Sequence, residues 1–210
     1  MKRILCLILA LTLVTAALVS CGGDDTPDIY KLAEELSPTR VVTAVEYTDA
    51  KGVKLTGLYD LQTNGADSIF TFEYDRYLTA EEAIALGKND KITRESGAVY
   101  MKDGKESYDG KLWTAPSVPT EIKLNLDPEL LLNAVISEDG KTLTAEIANE
   151  NAEAVIGSTL SAVGNISLVA KTNGTYFTEL ELSCSTIEGA TLVMRTSYSR
   201  NVIELEFPKG

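Results

Sequence analysis

Histidine is absent from the 210-residue chain, which also has few cysteines and fewer basic than acidic residues. Without histidine there is no Ser-His-Asp or Cys-His catalytic group, no imidazole zinc ligand and no histidine pH switch. Lysine and arginine number 19 against 31 aspartates and glutamates, which gives a net charge of −12. Because phosphate binding needs a basic face, this balance argues against nucleic acid as a partner.

Known catalytic and nucleotide-binding signatures are also missing: there is no P-loop, no Gly-x-Ser-x-Gly and no Cys-x-x-Cys. The remaining acidic candidates are Glu179/Glu181 and Glu204/Glu206, two pairs with carboxylates about 6.5–7 Å apart on one strand face. Such a pair could serve acid–base catalysis or half of a calcium site, but solvated acids on a strand also prevent unwanted pairing. We favour the solvated interpretation and predict no catalytic residues, cofactor or metal.

The first 20 residues have the pattern of an export signal. Lys2 and Arg3 precede an uncharged apolar run over residues 4–18, which is shorter than the roughly 20 residues that a membrane-spanning helix needs. The run ends in Leu18-Val19-Ser20-Cys21. We therefore predict that residues 1–20 are a signal peptide that is removed.

The segment from Leu18 to Cys21 resembles the lipobox of bacterial lipoproteins. That resemblance implies a diacylglyceryl group on Cys21, cleavage before it and acylation, for example by palmitate, of the new amino terminus. Two or three acyl chains hold stably in a bilayer, so residues 21–28 would be the lipidated cysteine and its tether. The expected location is outside the cytoplasm, on the outer leaflet of the cell membrane or facing the periplasm of a two-membrane envelope. The alternative is a plain secretory signal, or an uncleaved anchor, with a chance cysteine.

The remaining chain, residues 29–210, is predicted to be one β-rich domain. Apolar residues alternate with polar ones over many short segments separated by turns such as Asn64-Gly65, Asp103-Gly104 and Asn173-Gly174. We predict helices after Asp28, from the capping-box sequence at Thr79, over 129–136 and over 151–163. The predicted strands cover residues 40–49, 53–61, 68–76, 98–102, 106–113, 142–149, 165–172, 175–185, 190–199 and 202–207.

These elements predict an α+β fold with a single curved antiparallel sheet, a half-barrel, whose concave face is covered by short helices. The element order resembles that of the LolA/LolB carriers and LppX-type lipoproteins, although no specific motif beyond Cys21 carries the resemblance. The family resemblance implies an apolar cavity between sheet and helices that holds acyl chains.

The alternation predicts which side chains would line such a cavity. Those from the strands are Phe70, Phe72, Tyr74, Leu180, Leu182, Leu192, Met194, Leu205 and Phe207, and those from the helices are Leu131, Val135, Val155, Ile156 and Leu160. The alternative is that they fill the core at normal density. A further aromatic group around Tyr100, Tyr108 and Trp113 could bind sugar or peptide, or pack across its own hairpin.

The last cysteine, Cys184, lies on the apolar side of a predicted strand. It is either a reactive thiol or a small buried apolar side chain, and we favour the latter because no nearby cation lowers its pKa. We expect a non-enzymatic, membrane-anchored lipoprotein that binds a lipid or other apolar ligand. The alternative function is a non-catalytic cell-envelope module that presents a sheet edge or acidic face to another protein.

Overall fold

The computed structural model describes residues 28–87, 91–115, 124–157 and 162–208. These residues form a mostly antiparallel α+β structure with ten strands in one sheet and a few short helices. The α-helices are α1 (Ile29–Glu34), α2 (Ala80–Ala85) and α3 (Ala152–Ile156). The strands are β1 (Arg40–Thr48), β2 (Lys54–Asn64), β3 (Asp67–Tyr77), β4 (Ile92–Lys102), β5 (Lys105–Ser107), β6 (Leu131–Ile136), β7 (Thr142–Ile147), β8 (Ala162–Thr172), β9 (Phe177–Thr186) and β10 (Thr191–Ser199).

The strand order is β5-β4-β3-β2-β1-β10-β9-β8-β7-β6, and the two outer strands, β5 and β6, do not pair with each other. The first and last strands pair in the middle of the sheet, with Arg40 opposite Ser199 and Thr48 opposite Thr191. The other neighbours follow each other along the chain. This local connectivity explains why the turn signals predicted so many of the hairpins correctly.

The turn between β4 and β5 illustrates how the sequence fixes the hairpins. Asp103 and Gly104 both have positive φ, at 51° and 71°. A two-residue turn with this geometry matches the twist of the flanking strands, and aspartate followed by glycine is favoured there. The predicted hairpin is confirmed, but β5 ends at Ser107 and not at Trp113.

The side chains on one face of the sheet, here called the inner face, form the core beneath α1 and α3. Asp28 caps α1 by accepting a hydrogen bond from the backbone amide of Tyr30, as its position predicted. The helix packs its apolar side against β8 and β9. Inner-face residues of β7–β9 are 0–2% exposed: Leu143, Ile147, Ile166, Leu168, Leu180 and Leu182.

The predicted helix over 129–136 is wrong. Only Pro128–Leu130 forms a helical turn, of the 3-10 type, and the following residues form β6, which pairs with β7. A short apolar run does not distinguish a helix from a strand by its periodicity, and the β-branched Val135 and Ile136 favour the strand. Leu131 is buried on the inner face, but Val135 is opposite Thr144 on the other face and is 64% exposed. Val135 therefore does not line the inner face.

The predicted helix over 151–163 is shorter than expected. Helix α3 ends at Ile156, because Gly157 adopts the left-handed conformation, with φ 67°, that terminates helices. Val163 belongs to strand β8, whereas Leu160 lies outside the described residues.

The predicted last strand, over 202–207, does not form. This segment has no strand conformation, and the side-chain amide of Asn64 donates a hydrogen bond to the carbonyl oxygen of Ile203. Phe207 packs its ring against Tyr100 and Trp113, with Lys102 above it. Because Tyr100 and Lys102 alternate with the inner-face residues of β4, Phe207 lies on the outer face. Leu205, in the same segment, is half-buried.

Candidate ligand-binding site

The predicted lining residues divide into a closed group and a partly open group. The closed group is buried in the core, and its members have little solvent exposure: Phe70, Leu131, Val155, Ile156, Leu180, Leu182 and Met194. Phe72, Tyr74 and Leu192 are half-buried and pack against the edge of that core. The filled-core alternative therefore describes the closed group, and the partly open part of the inner face includes Phe72 and Tyr74 on β3 and Val99 on β4.

Four aromatic side chains on the inner face form a continuous group, which we call the aromatic row: Tyr59, Phe70, Phe72 and Tyr74. Along β3, the rings of Phe70, Phe72 and Tyr74 follow one another with centroids 6.0 Å apart. The Tyr59 ring on β2 stacks 6.3 Å from Phe70 and 6.5 Å from Tyr74. The period-two pattern placed the three β3 rings on one face correctly, but Tyr59 was not among the predicted residues.

Two strand glycines give the aromatic row its shape. A Cβ atom on Gly57 would lie 2.8 Å from Cε2 of Tyr59, and one on Gly97 would lie 2.5 Å from Cζ of Phe72. Neither distance is compatible with an ordinary side chain, so both rings lie directly over a glycine backbone. An isolated glycine within a strand pattern indicates such a close approach, and this signal could have identified both positions from the sequence.

A polar network closes one end of the aromatic row. The Tyr74 hydroxyl donates a hydrogen bond of 2.6 Å to Glu95, which also accepts one from Arg76. Arg76 donates two further hydrogen bonds, of 2.9 and 2.8 Å, to the carboxylate of Glu82 at the start of α2. Glu82 and Thr79 form the capping box that the sequence predicted.

These contacts shift the pKa values of the groups in the network. The hydrogen bond from Tyr74, followed by that from Arg76, lowers the pKa of Glu95. Burial, followed by the hydrogen bond to Glu95, raises the pKa of Tyr74. Hydrogen bonds from Arg76 above all lower the pKa of Glu82 to about 2. At neutral pH the network therefore has two carboxylates, one guanidinium and a neutral phenol.

The outer face of the sheet is charged but its charges are balanced. Arg195 bridges Glu181 and Glu46 at 2.7 and 2.8 Å, and Lys171 binds Glu179 at 2.7 Å. The carboxylates at 179 and 181 are thus partners of cross-strand cations. A concavity of about 270 Å³ lies among these side chains on β8–β10.

The two acidic pairs have different surroundings in the described part of the chain. The Glu179 and Glu181 carboxylates are each occupied by a cation, and Glu204 and Glu206 are exposed on the segment that forms no strand. Over the described ranges, no group of three or more acidic, histidine or cysteine side chains could hold a metal ion.

Cys184 matches its simpler interpretation, whereas the aromatic group around Tyr100 packs against the C-terminal segment instead of across its own hairpin. Cys184 is buried, and burial raises the pKa of its thiol, which makes the thiolate scarce at neutral pH. The rings of Tyr100 and Trp113 both pack against Phe207, whereas Tyr108 is exposed.

Comparison with known proteins adds little to this description. No family model and no curated protein matches the chain. The chain is weakly similar to the crystal structure of kievitone hydratase from Nectria haematococca, with a TM-score of 0.28 and 13% identity. The match covers 92% of this chain and 58% of the hydratase, so the chain spans less than two thirds of that protein. A similarity of this size carries no functional argument.

None of the helices in the described ranges is long and apolar enough to cross a membrane.

Proposed function

We propose that this chain is an extracytoplasmic lipoprotein, anchored through Cys21, that binds a lipid or other apolar ligand along the aromatic row. In this proposal the open sheet curves as a half-barrel, and its inner face over β3 and β4, where Phe72 and Tyr74 of the aromatic row are half-buried, receives the ligand. The mechanism is passive binding and has no catalytic step.

The observation that carries the ligand proposal is a gradient of burial across the inner face. Inner-face side chains are closed off beneath α1 and α3 on β7–β9, whereas Phe72, Tyr74 and Val99 on β3 and β4 are only half-buried. Partly exposed aromatic rings that continue a closed core gain free energy when an apolar molecule covers them, at about 25 cal/mol per Å².

The polar network suggests an orientation for the ligand. Apolar binding sites fix their ligands by a few polar groups at defined positions. The Tyr74, Glu95 and Arg76 side chains meet at one end of the row and already bind one another. An amphipathic molecule would lay its apolar part along the rings and its polar group at this end.

The anchoring part of the proposal is tested by metabolic labelling of the full chain with radioactive palmitate in a bacterial host. We expect label on the wild-type protein and its recovery with membranes, and we expect a Cys21→Ser chain to lose the label and the membrane association. Cys184→Ser is the matched control and should keep both. An unlabelled wild-type protein, or a Cys21→Ser chain that stays equally membrane-bound, would overturn the anchor.

The ligand part is tested by native mass spectrometry of the Cys21→Ser chain after gentle purification, followed by solvent extraction. We expect an adduct that dissociates on activation and an extracted lipid in comparable amount. A chain that carries no adduct, and acquires none on incubation with lipid vesicles, would contradict the ligand proposal without affecting the anchor.

A further inference from the structure

The two edges of the sheet differ in how they are protected. At one edge, β5 has three residues, of which Lys105 and Glu106 carry charge. The backbone of Glu106 also exchanges two hydrogen bonds with Thr114, at 2.9 and 2.8 Å, which covers part of this edge. A short, charged and covered strand is how natural proteins prevent edge-to-edge association.

The other edge, β6, is longer and carries no charged side chain among its six residues. Within the described residues it pairs with β7 on one side, and no further segment pairs with its other side. Leu132, Val135 and Ile136 are all exposed apolar residues on this strand. A register shift between Leu132 and Val135 interrupts the strand, with Asn133 at φ 52°. Strand β7 pairs with β6 on both sides of this shift, so β6 continues as a strand beyond the bulge.

The charges at the two ends of β6 indicate what kind of strand fits. Glu129 precedes the strand and Glu138 and Asp139 follow it, and all three are exposed. A second copy that paired antiparallel through β6 would bring Glu129 close to the acidic end of its partner's strand, which is unfavourable. A strand with basic residues at both ends would place a cation near an acid at each end.

We propose that β6 is a docking edge for an extended segment of another protein that has an apolar centre and lysine or arginine at both ends. Backbone hydrogen bonds extend the sheet by one strand, the exposed apolar side chains contact the centre of the segment, and the acids at both ends select its charge. This inference does not depend on ligand binding at the aromatic row, which lies toward the opposite edge of the sheet.

The test is fluorescence anisotropy with the full Cys21→Ser chain and a labelled peptide of about nine residues, with alternating valine and threonine between paired lysines. We expect saturable binding that weakens as salt increases, and at least about tenfold weaker binding of a peptide with glutamates in place of the lysines. Saturable binding of both peptides with equal affinity, or of neither, would overturn the proposal.

Variants locate the site. Val135→Lys adds a charge to the exposed edge strand and should weaken peptide binding at least about tenfold. Ile187→Lys is the matched control, since Ile187 is also highly exposed but lies in the turn after β9. Equal loss in both variants would overturn the assignment to β6.

Light scattering tests whether a second copy of the chain occupies the edge instead. We expect a monomer. A dimer that dissociates in the Val135→Lys variant would overturn the proposed partner.

Discussion

Gly57 lies on β2 with the ring of Tyr59 folded over its backbone, so a hydrogen atom is the only side chain that leaves the ring in place. Tyr59 is 3% exposed and stacks on Phe70 and Tyr74, so its ring has little freedom to move away. The glycine is therefore a packing residue, although glycine normally weakens a strand.

We predict that Gly57→Ala lowers the free energy of unfolding by about 1–3 kcal/mol, because the added methyl group overpacks the ring. Urea denaturation of the Cys21→Ser chain measures this change. In a Tyr59→Leu background the contact is gone, and Gly57→Ala should then be neutral or stabilising. An equal loss in both backgrounds would show that the ring contact is not the cause.

Asp75 on the outer face is a second residue whose environment can be tested. Arg94 donates hydrogen bonds of 2.8 and 3.1 Å to its carboxylate, and the backbone amide and hydroxyl of Thr56 donate two more. The hydrogen bonds from Arg94 above all lower the pKa of Asp75 from 3.8 to about 2. Folding thus favours the ionised form of this carboxyl.

We predict that Asp75→Asn destabilises the protein at pH 7 by about 1 kcal/mol, because hydrogen bonds to a charged acceptor are lost. A lowered folded-state pKa contributes stability above the ordinary value of 3.8, and this contribution is lost as the pH falls through about 2. The difference between the variant and the wild type should therefore shrink between about pH 4 and pH 2. Urea titrations across this window measure it, with Asp103→Asn in an exposed turn as the control. A difference that does not change with pH would contradict the account.

Secondary-structure elements were predicted well where local signals decide them. The hairpins β1–β2–β3, β4–β5 and β8–β9–β10 follow from period-two alternation and short turns, and the capping residues Asp28 and Thr79 start helices as expected. The errors at 129–136 and 202–207 depend on which strand lies beside each segment, and the periodicity of the segment does not give this. A strand at 131–136 forms because β7 offers hydrogen bonds, and no neighbouring strand offers them to the last segment.

The C-terminal segment is held by side chains instead of strand pairing, and the single tryptophan of the chain reports on it. We predict that Phe207→Ala, which removes a ring 6.3 Å from Trp113, shifts the tryptophan emission to longer wavelength and costs about 1–3 kcal/mol of stability. Val202→Ala is the control, because Val202 in the same segment is 96% exposed. An unchanged spectrum in the Phe207 variant, or equal shifts in both, would contradict this packing.

For the whole molecule, the sequence could predict which side chains share a face but not which of them are covered. Phe72 and Leu182 both occupy inward positions in alternating strands, yet Leu182 is buried and Phe72 is half-buried. This difference in burial depends on where α1 packs on the sheet, and the contacts of α1 with β8 and β9 join residues far apart in the chain. The pattern also gave no sign that the acids of β9 would meet cations from β8 and β10.

The most direct test of the ligand proposal is titration of the Cys21→Ser chain with a fluorescent long-chain fatty acid. Two variants are compared with the parent chain: Phe72→Ser on the inner face, and Leu58→Ser on the outer face of the neighbouring strand, where Leu58 is exposed. We predict saturable binding by the parent, unchanged binding by Leu58→Ser and about tenfold weaker binding by Phe72→Ser, because about 1.4 kcal/mol of apolar contact is lost. No saturable binding by the parent chain, or equal weakening in both variants, would contradict a ligand site on the aromatic row.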